Sequence, residues 1–178
     1  MTLEIAGGMQ AFASSSSLIM GLLKPLEDLV PNLKVRSLIE PNFSPPYVFA
    51  RAIVGAWSTN SFGTDDRRFL QGRLLDVQAF TEGPDGDTSA DALLELCWQQ
   101  LWSAKVNGTK VPGVGYITYL RTVTPPRRVP DWASSTGVQQ YANLPKGYTR
   151  YQTTLGIVHR PDFDNPVTVA DLVALASL

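Results

Sequence analysis

Groups able to do acid, base, nucleophilic or metal chemistry are sparse in this chain, and their spacing limits what they can do. The single histidine, His159, stands beside Arg160 at the end of an alternating run and reads as structural or surface. The single cysteine, Cys97, falls on a helical apolar stripe, where a thiol behaves as a small hydrophobe. One His and one Cys cannot make a His/Cys metal set. The acidic pairs Asp65-Asp66, Asp85 with Asp87, and Asp162 with Asp164 lack the flanking positions of an EF-hand and read as turn and cap formers. Neither GxxxxGK[ST] nor a strand-following GxGxxG is present, and Gly113-Val114-Gly115 is a flexible lead into a strand. No catalytic residue, metal ligand or cofactor site is expected, and the chain is not expected to be an enzyme.

Recognition chemistry is better represented. Arg127 and Arg128 in PPRRVPDW form the most visible cationic cluster, and with Arg121 they could meet phosphate or an acidic protein face, or form a solvated loop. Trp98 and Trp102, at i and i+4, flank a leucine stripe and either complete the core or make a subunit contact. Trp132 lies in a polar stretch that suits an interface anchor.

These side chains must be held by a scaffold whose centre is the stretch Phe69–Ala104. Leu75, Val77 and Ala79 alternate with Asp76 and Gln78, the period of a half-buried strand. EGPDGDTS breaks it, and Thr88 with Asp91 has capping-box spacing. Ala90, Leu93, Leu94, Cys97, Leu101 and Ala104 then form a helical stripe that can lie on a sheet.

Before this unit, residues 1–20 are Gly-, Ala- and Ser-rich and read as a flexible arm, leaving 21–178 as one domain. Leu22–Val30 suits a short helix ended by Pro31. LKVRSLI and Tyr47–Trp57 alternate as strands; Val48, Ala50 and Ala52 oppose bulkier Tyr47, Phe49 and Ile53, as for a strand covered on both sides.

After it, Asn107-Gly108 is turn chemistry. Tyr116–Thr124 and Thr149–Arg160 alternate, separated by a long Pro- and Gly-containing loop at 125–147 of the kind that is functional or partner-ordered. VTVADLVALASL closes the chain as a short amphipathic helix. The fold class is α+β: a mainly antiparallel sheet of four to five strands, a central helix on one face and short terminal helices.

A length of 178 residues, 44% hydrophobic, suits one core. With a formal net charge of -1, nothing in the sequence resembles a basic nucleic-acid footprint or a cationic membrane helix. A single cysteine suits a reducing compartment, and the sequence reads as soluble and intracellular.

With its elements in this order, the chain resembles the tail terminators, or tail completion proteins, of long-tailed bacteriophages of the lambda-like type. The resemblance covers about residues 25 to 161 and is carried by LEDLVPNLKVRSLIEPNF, PPYVFARAIVGAW, RLLDVQAFTEGPDGDTSADALLELCWQQL, VGYITYLRTVTPPRRVPDW and GYTRYQTTLGIVHRP. It implies a virion protein at the tail–neck junction, made in the host cytoplasm. Such a protein acts as a hexameric ring that caps the major tail tube protein, stops its polymerisation and meets a head–tail connector or stopper. DNA passes through its lumen without sequence-specific binding. On that reading Arg121, Arg127, Arg128 and Trp132 make a partner contact, and Asp65, Asp66, Arg67 and Arg68 a second one facing the neighbouring ring. The rival readings are another neck protein, a small hydrolase or isomerase using His159 with Asp162 or Asp164, and a dimer holding a ligand on its apolar sheet face.

Overall fold

A computed structural model describes residues 15–40, 42–53, 70–129, 147–162 and 164. The elements are α1 (Ser15–Leu23), α2 (Leu26–Leu29), β1 (Lys34–Arg36), β2 (Tyr47–Ile53), β3 (Gln71–Glu82), α3 (Gly86–Asn107), β4 (Tyr116–Arg128) and β5 (Tyr148–Arg160). The five strands form one sheet in the order β1-β2-β3-β5-β4. Only the short β1–β2 pair is parallel; β2–β3, β3–β5 and β4–β5 are antiparallel. The fold is α+β, as its alternation predicts, and no described helix is long and apolar enough to cross a membrane.

The helical stripe folds as its spacing requires. Ala90, Leu94, Cys97, Leu101 and Ala104 of α3 are buried against Val48 and Ala50 of β2, Leu75, Val77 and Ala79 of β3, and Leu155 and Ile157 of β5. Each buried leucine contributes on the order of 1.5–3 kcal/mol. Asn107-Gly108 ends the helix: Gly108 takes φ 60 and its N–H reaches Ala104 O and Lys105 O. The start differs from the expected capping box. The first turn begins at Gly86 after Asp85, no side chain caps it, and Thr88 and Asp91 both lie exposed. Thr81 instead donates to Gly86 O at 2.6 Å, fixing the β3–α3 corner from the strand side.

The N-terminal helix also departs from expectation. Ser15–Leu23 is helical where an arm to residue 20 was predicted, because Leu18, Ile19, Leu22 and Leu23 form an apolar stripe, at most 3% exposed, that seals the same core. Pro25 lacks the N–H a continuing helix needs, so Leu22–Val30 is not one helix but the end of α1 and the single turn of α2. At the other end, β4 runs on through Pro125 and Pro126 to Arg128, four residues into the predicted loop. Both prolines are tolerable only because β4 is an edge strand, and the register slips between Thr124 and Arg127. Residues 130–146 of that loop and the expected C-terminal helix lie outside the described residues.

Strand β2 is covered on both sides, as its bulk suggested. Tyr47 and Phe49, with Phe80, make a second buried cluster on the face away from α3, where Ile39 and Phe43 pack and Tyr47 donates to Leu38 O at 2.6 Å.

Two glycines before β4 separate backbone strain from collision. Gly113 has φ 71 with open space where a Cβ would stand, whereas at Gly115, φ 136, a Cβ would fall 1.9 Å from Arg160 O. Gly113→Ala should therefore cost about 1 kcal/mol. Gly115→Ala should cost several-fold more, since the β4–β5 junction must open to admit a methyl group. Equal denaturant midpoints for the two variants would contradict this close approach.

Candidate functional site

The strand registers place every outward side chain of the sheet on a grid. Facing α3 are Leu75, Val77 and Ala79 of β3, and Thr153, Leu155, Ile157 and His159 of β5. The opposite face reads in rows across β2, β3, β5 and β4: Ile53, Leu74, Gly156, Arg121; then Arg51, Asp76, Thr154, Thr124; then Phe49, Gln78, Gln152, Arg127. A further row carries Tyr47, Phe80 and Arg150. Neighbouring columns lie about 4.8 Å apart and neighbouring rows about 7 Å, from the strand spacing and twice the rise per residue.

A hydrogen-bonded ladder ties the centre of this face together. Gln78 Nε2 donates to Asp76 Oδ2 at 2.7 Å and Gln152 Nε2 to Asp76 Oδ1 at 2.8 Å, while Arg150 Nε donates to Gln78 Oε1 at 3.0 Å. Asp76 and Gln78 are buried, so each of these donors satisfies a group that would otherwise cost about 1–3 kcal/mol. Because neutral amides hold both carboxylate oxygens, Asp76 makes no ion pair with Arg51, its register partner on β2. Arg51 instead lies over the Phe49 ring, 5.2 Å from its centre.

The expected arginine cluster is divided by this geometry. Arg127 and Arg128 are neighbours in a strand, so their side chains leave opposite faces. Arg127 joins Arg121 on the polar face, while Arg128 turns to the helix side and pairs with Asp87 of α3 at 3.3 Å. Both members of that pair are exposed, and such pairs contribute little. Asp65, Asp66, Arg67, Arg68 and Trp132 lie outside the described residues. Sequence reasoning missed Arg51, Asp76, Gln78, Arg150 and Gln152 as a group. Their signal is the polar phase shared by three strands, visible only once the register aligns them.

Strand β4 stands at the edge of the sheet among the described residues. Tyr119 and Val123 on it are 38% and 43% exposed, and the slips after Ile117, Thr122 and Thr124 bend it. Beside it on α3, Trp98 and Trp102 stack with centres 5.9 Å apart. Lys105 Nζ sits 4.1 Å from the centre of Trp102, an arrangement worth about 0.5–1 kcal/mol at an exposed site. Trp98 packs against the core while Trp102 stays 40% exposed, so the core reading of the pair holds for Trp98 only. A small cleft of about 100 Å³ between Trp98, Leu94, Thr122 and Pro126 joins helix to edge strand.

The remaining chemical candidates are structural in their contacts. His159 is fully buried, and its Nε2 shares a 2.9 Å hydrogen bond with Ser15 Oγ of α1. Asp162 accepts from Gly113 N at 3.1 Å and Asp164 N at 3.2 Å, and Asp164 pairs with Lys110, so these carboxylates hold the end of β5 against the α3–β4 turn. Burial pushes the Cys97 thiol up to about 12, far from a reactive thiolate. The apolar sheet face is no ligand pocket, because α1 and α3 close it. A more open groove of about 410 Å³ runs instead between Val30, Pro45, Pro46, Leu93 and Leu96.

Comparison with known protein families and with characterised proteins yields no match.

Burial, reinforced by the Arg73 guanidinium, pushes His159 down to about 4. The unfolded imidazole takes a proton near pH 6.5, whereas the folded one refuses it until about pH 4. The resulting stability is full above pH 6.5 and is lost as pH falls toward 4, by up to about 3 kcal/mol. Denaturant midpoints should drop over that window, and His159→Gln should flatten the drop; an unchanged slope in the variant would contradict the assignment.

Proposed function

We propose that this chain is a structural phage assembly protein, a tail terminator. On this proposal it closes as a hexameric ring on the finished tail tube, halts addition of tube protein and offers its other side to the head–tail connector or stopper. The observation that carries the reading is that β4 stands at the edge of the sheet among the described residues, beside the exposed Trp102. An open strand edge flanked by an aromatic anchor is a surface for another chain, and a heterologous contact of that kind generates a ring when its rotation closes. Action by such a ring is steric: it matches the tube end on one side only, so no further tube subunit can stack. The reading needs no bond-making group, in keeping with the structural contacts of His159, Asp162 and Asp164.

The test is the solution mass of the purified chain by light scattering, alone and after mixing with purified tube protein. Six-subunit rings, alone or on tube ends, are expected. Trp102→Glu should lower stability by only about 1–2 kcal/mol, the Trp98 stack and Lys105 contact it gives up, so that the chain stays folded yet loses the ring. A chain that remains monomeric and leaves tube growth unchecked would overturn the proposal.

A further inference from the structure

We infer that the groove on the α2 side of α3 is the seat for Trp102 of a second copy of this chain, so that copies join head to tail. The inference rests on the terminator reading and names the surface that meets the Trp102 flank of the next copy. The groove, about 410 Å³, is lined by Val30 after α2, Pro45 and Pro46 ahead of β2, Glu82 at the end of β3, and Leu93 and Leu96 of α3. Leu93 is buried, whereas Leu96 is 41% exposed. Polar groups that could orient a small molecule are few, because the Thr81 hydroxyl already donates to Gly86 O and only Glu82 and Ser89 remain. An apolar side chain of a protein partner suits it better.

The chain carries such a side chain. Trp102 is held by Trp98, stacked with its centre 5.9 Å away at 23°, and by Lys105, whose Nζ lies 4.1 Å from the ring centre. An indole fixed in this way loses little further freedom on docking. Val106, one turn along α3 and 64% exposed, extends it into an apolar ridge with the aromatic anchor that interfaces favour. The charges also match. Lys105 travels with the ridge and Glu82 lines the groove, and neither makes an ion pair among the described residues.

Placement on α3 fixes the direction of the contact. Leu96 and Trp102 are six residues apart on one helix, so they project about 120° apart around its axis. The ridge cannot reach the groove of its own copy, and the two faces make no single self-complementary patch, so the contact is heterologous. Edge-to-edge strand pairing is a poor rival. Lys34 N donates toward β2 at Pro46 O, so Val35 turns its amide and carbonyl outward. Glu27 Oε1 accepts from that amide at 2.7 Å and Arg36 Nη1 donates to that carbonyl at 2.8 Å, the two side chains pairing at 2.7 Å. The β1 edge is thus plugged, and β4 of another copy could pair with it only by breaking this ion pair.

Cross-linking with a flexible bis-maleimide tests the inference, using exposed positions on the ridge and the groove; the native Cys97 is buried. A mixture of Val106→Cys and Ala92→Cys chains should give covalent dimers, and either variant alone should not. Lys105→Glu in the first chain, or Glu82→Lys in the second, should slow linking about ten-fold, and the two together should restore it. Ala92→Glu, which puts a charge in the groove, should abolish the ring. No link in the mixture, equal linking in either variant alone, or no recovery in the charge-swapped pair would overturn the inference. So would an Ala92→Glu chain that still forms rings but no longer stops tube growth, because the groove would then belong to the tube protein. Rings that form without the mixed link would overturn this contact and leave the terminator reading standing, whereas the mixed link without arrest of tube growth would uphold the contact and remove that reading.

Discussion

The packing of α3 across β3 and β5 is the contact on which the rest of the structure depends. These two strands pair along their whole length, from Gln71↔His159 to Glu82↔Tyr148, and give the helix a twelve-residue-long bed. The leucines of α3 then remove one face of the sheet from water. Everything else follows from having spent that face: α1 caps its open end, His159 is buried neutral beneath Ser15, and the outward phase of the strands is left to polar groups.

That outward phase is where the molecule becomes asymmetric. A buried carboxylate normally seeks a cation, but Asp76 takes two amide donors instead, so its charge stays embedded while the surrounding guanidiniums stay at the surface. The sheet therefore has an apolar side under the helices and a polar ladder on the other, and β4 stands at its edge among the described residues.

The layers of the fold were legible in the sequence because burial imposes periodicity. The α3 stripe from Ala90 to Ala104 and the alternation through Leu75, Val77 and Ala79 stand in the structure where their spacing puts them. What was not legible were terms that depend on register or on partners far along the chain. Ser15–Leu23 looked like an arm because its three serines mask a stripe that only the β2 and α3 surfaces make useful. Thr88–Asp91 looked like a cap because local spacing cannot reveal that Thr81 holds the corner from the neighbouring strand. Arg127 and Arg128 looked like a cluster in one dimension; strand geometry separates them and unites Arg127 instead with Arg51, 76 positions earlier in sequence. Sequence order hides a sheet face, whereas register displays it.

The central claim is that copies of this chain, or chain and tube protein, meet through the open edge of β4. Hydrogen exchange of the β4 amides from Tyr116 to Thr124, followed in the isolated chain and after mixing with tube protein, tests it most directly. Assembly through this edge predicts at least ten-fold slower exchange at those amides whose N–H points away from β5, with β3 unchanged. Equal rates across β4 before and after mixing would contradict the account, because an edge that recruits no partner cannot be the surface that builds the ring.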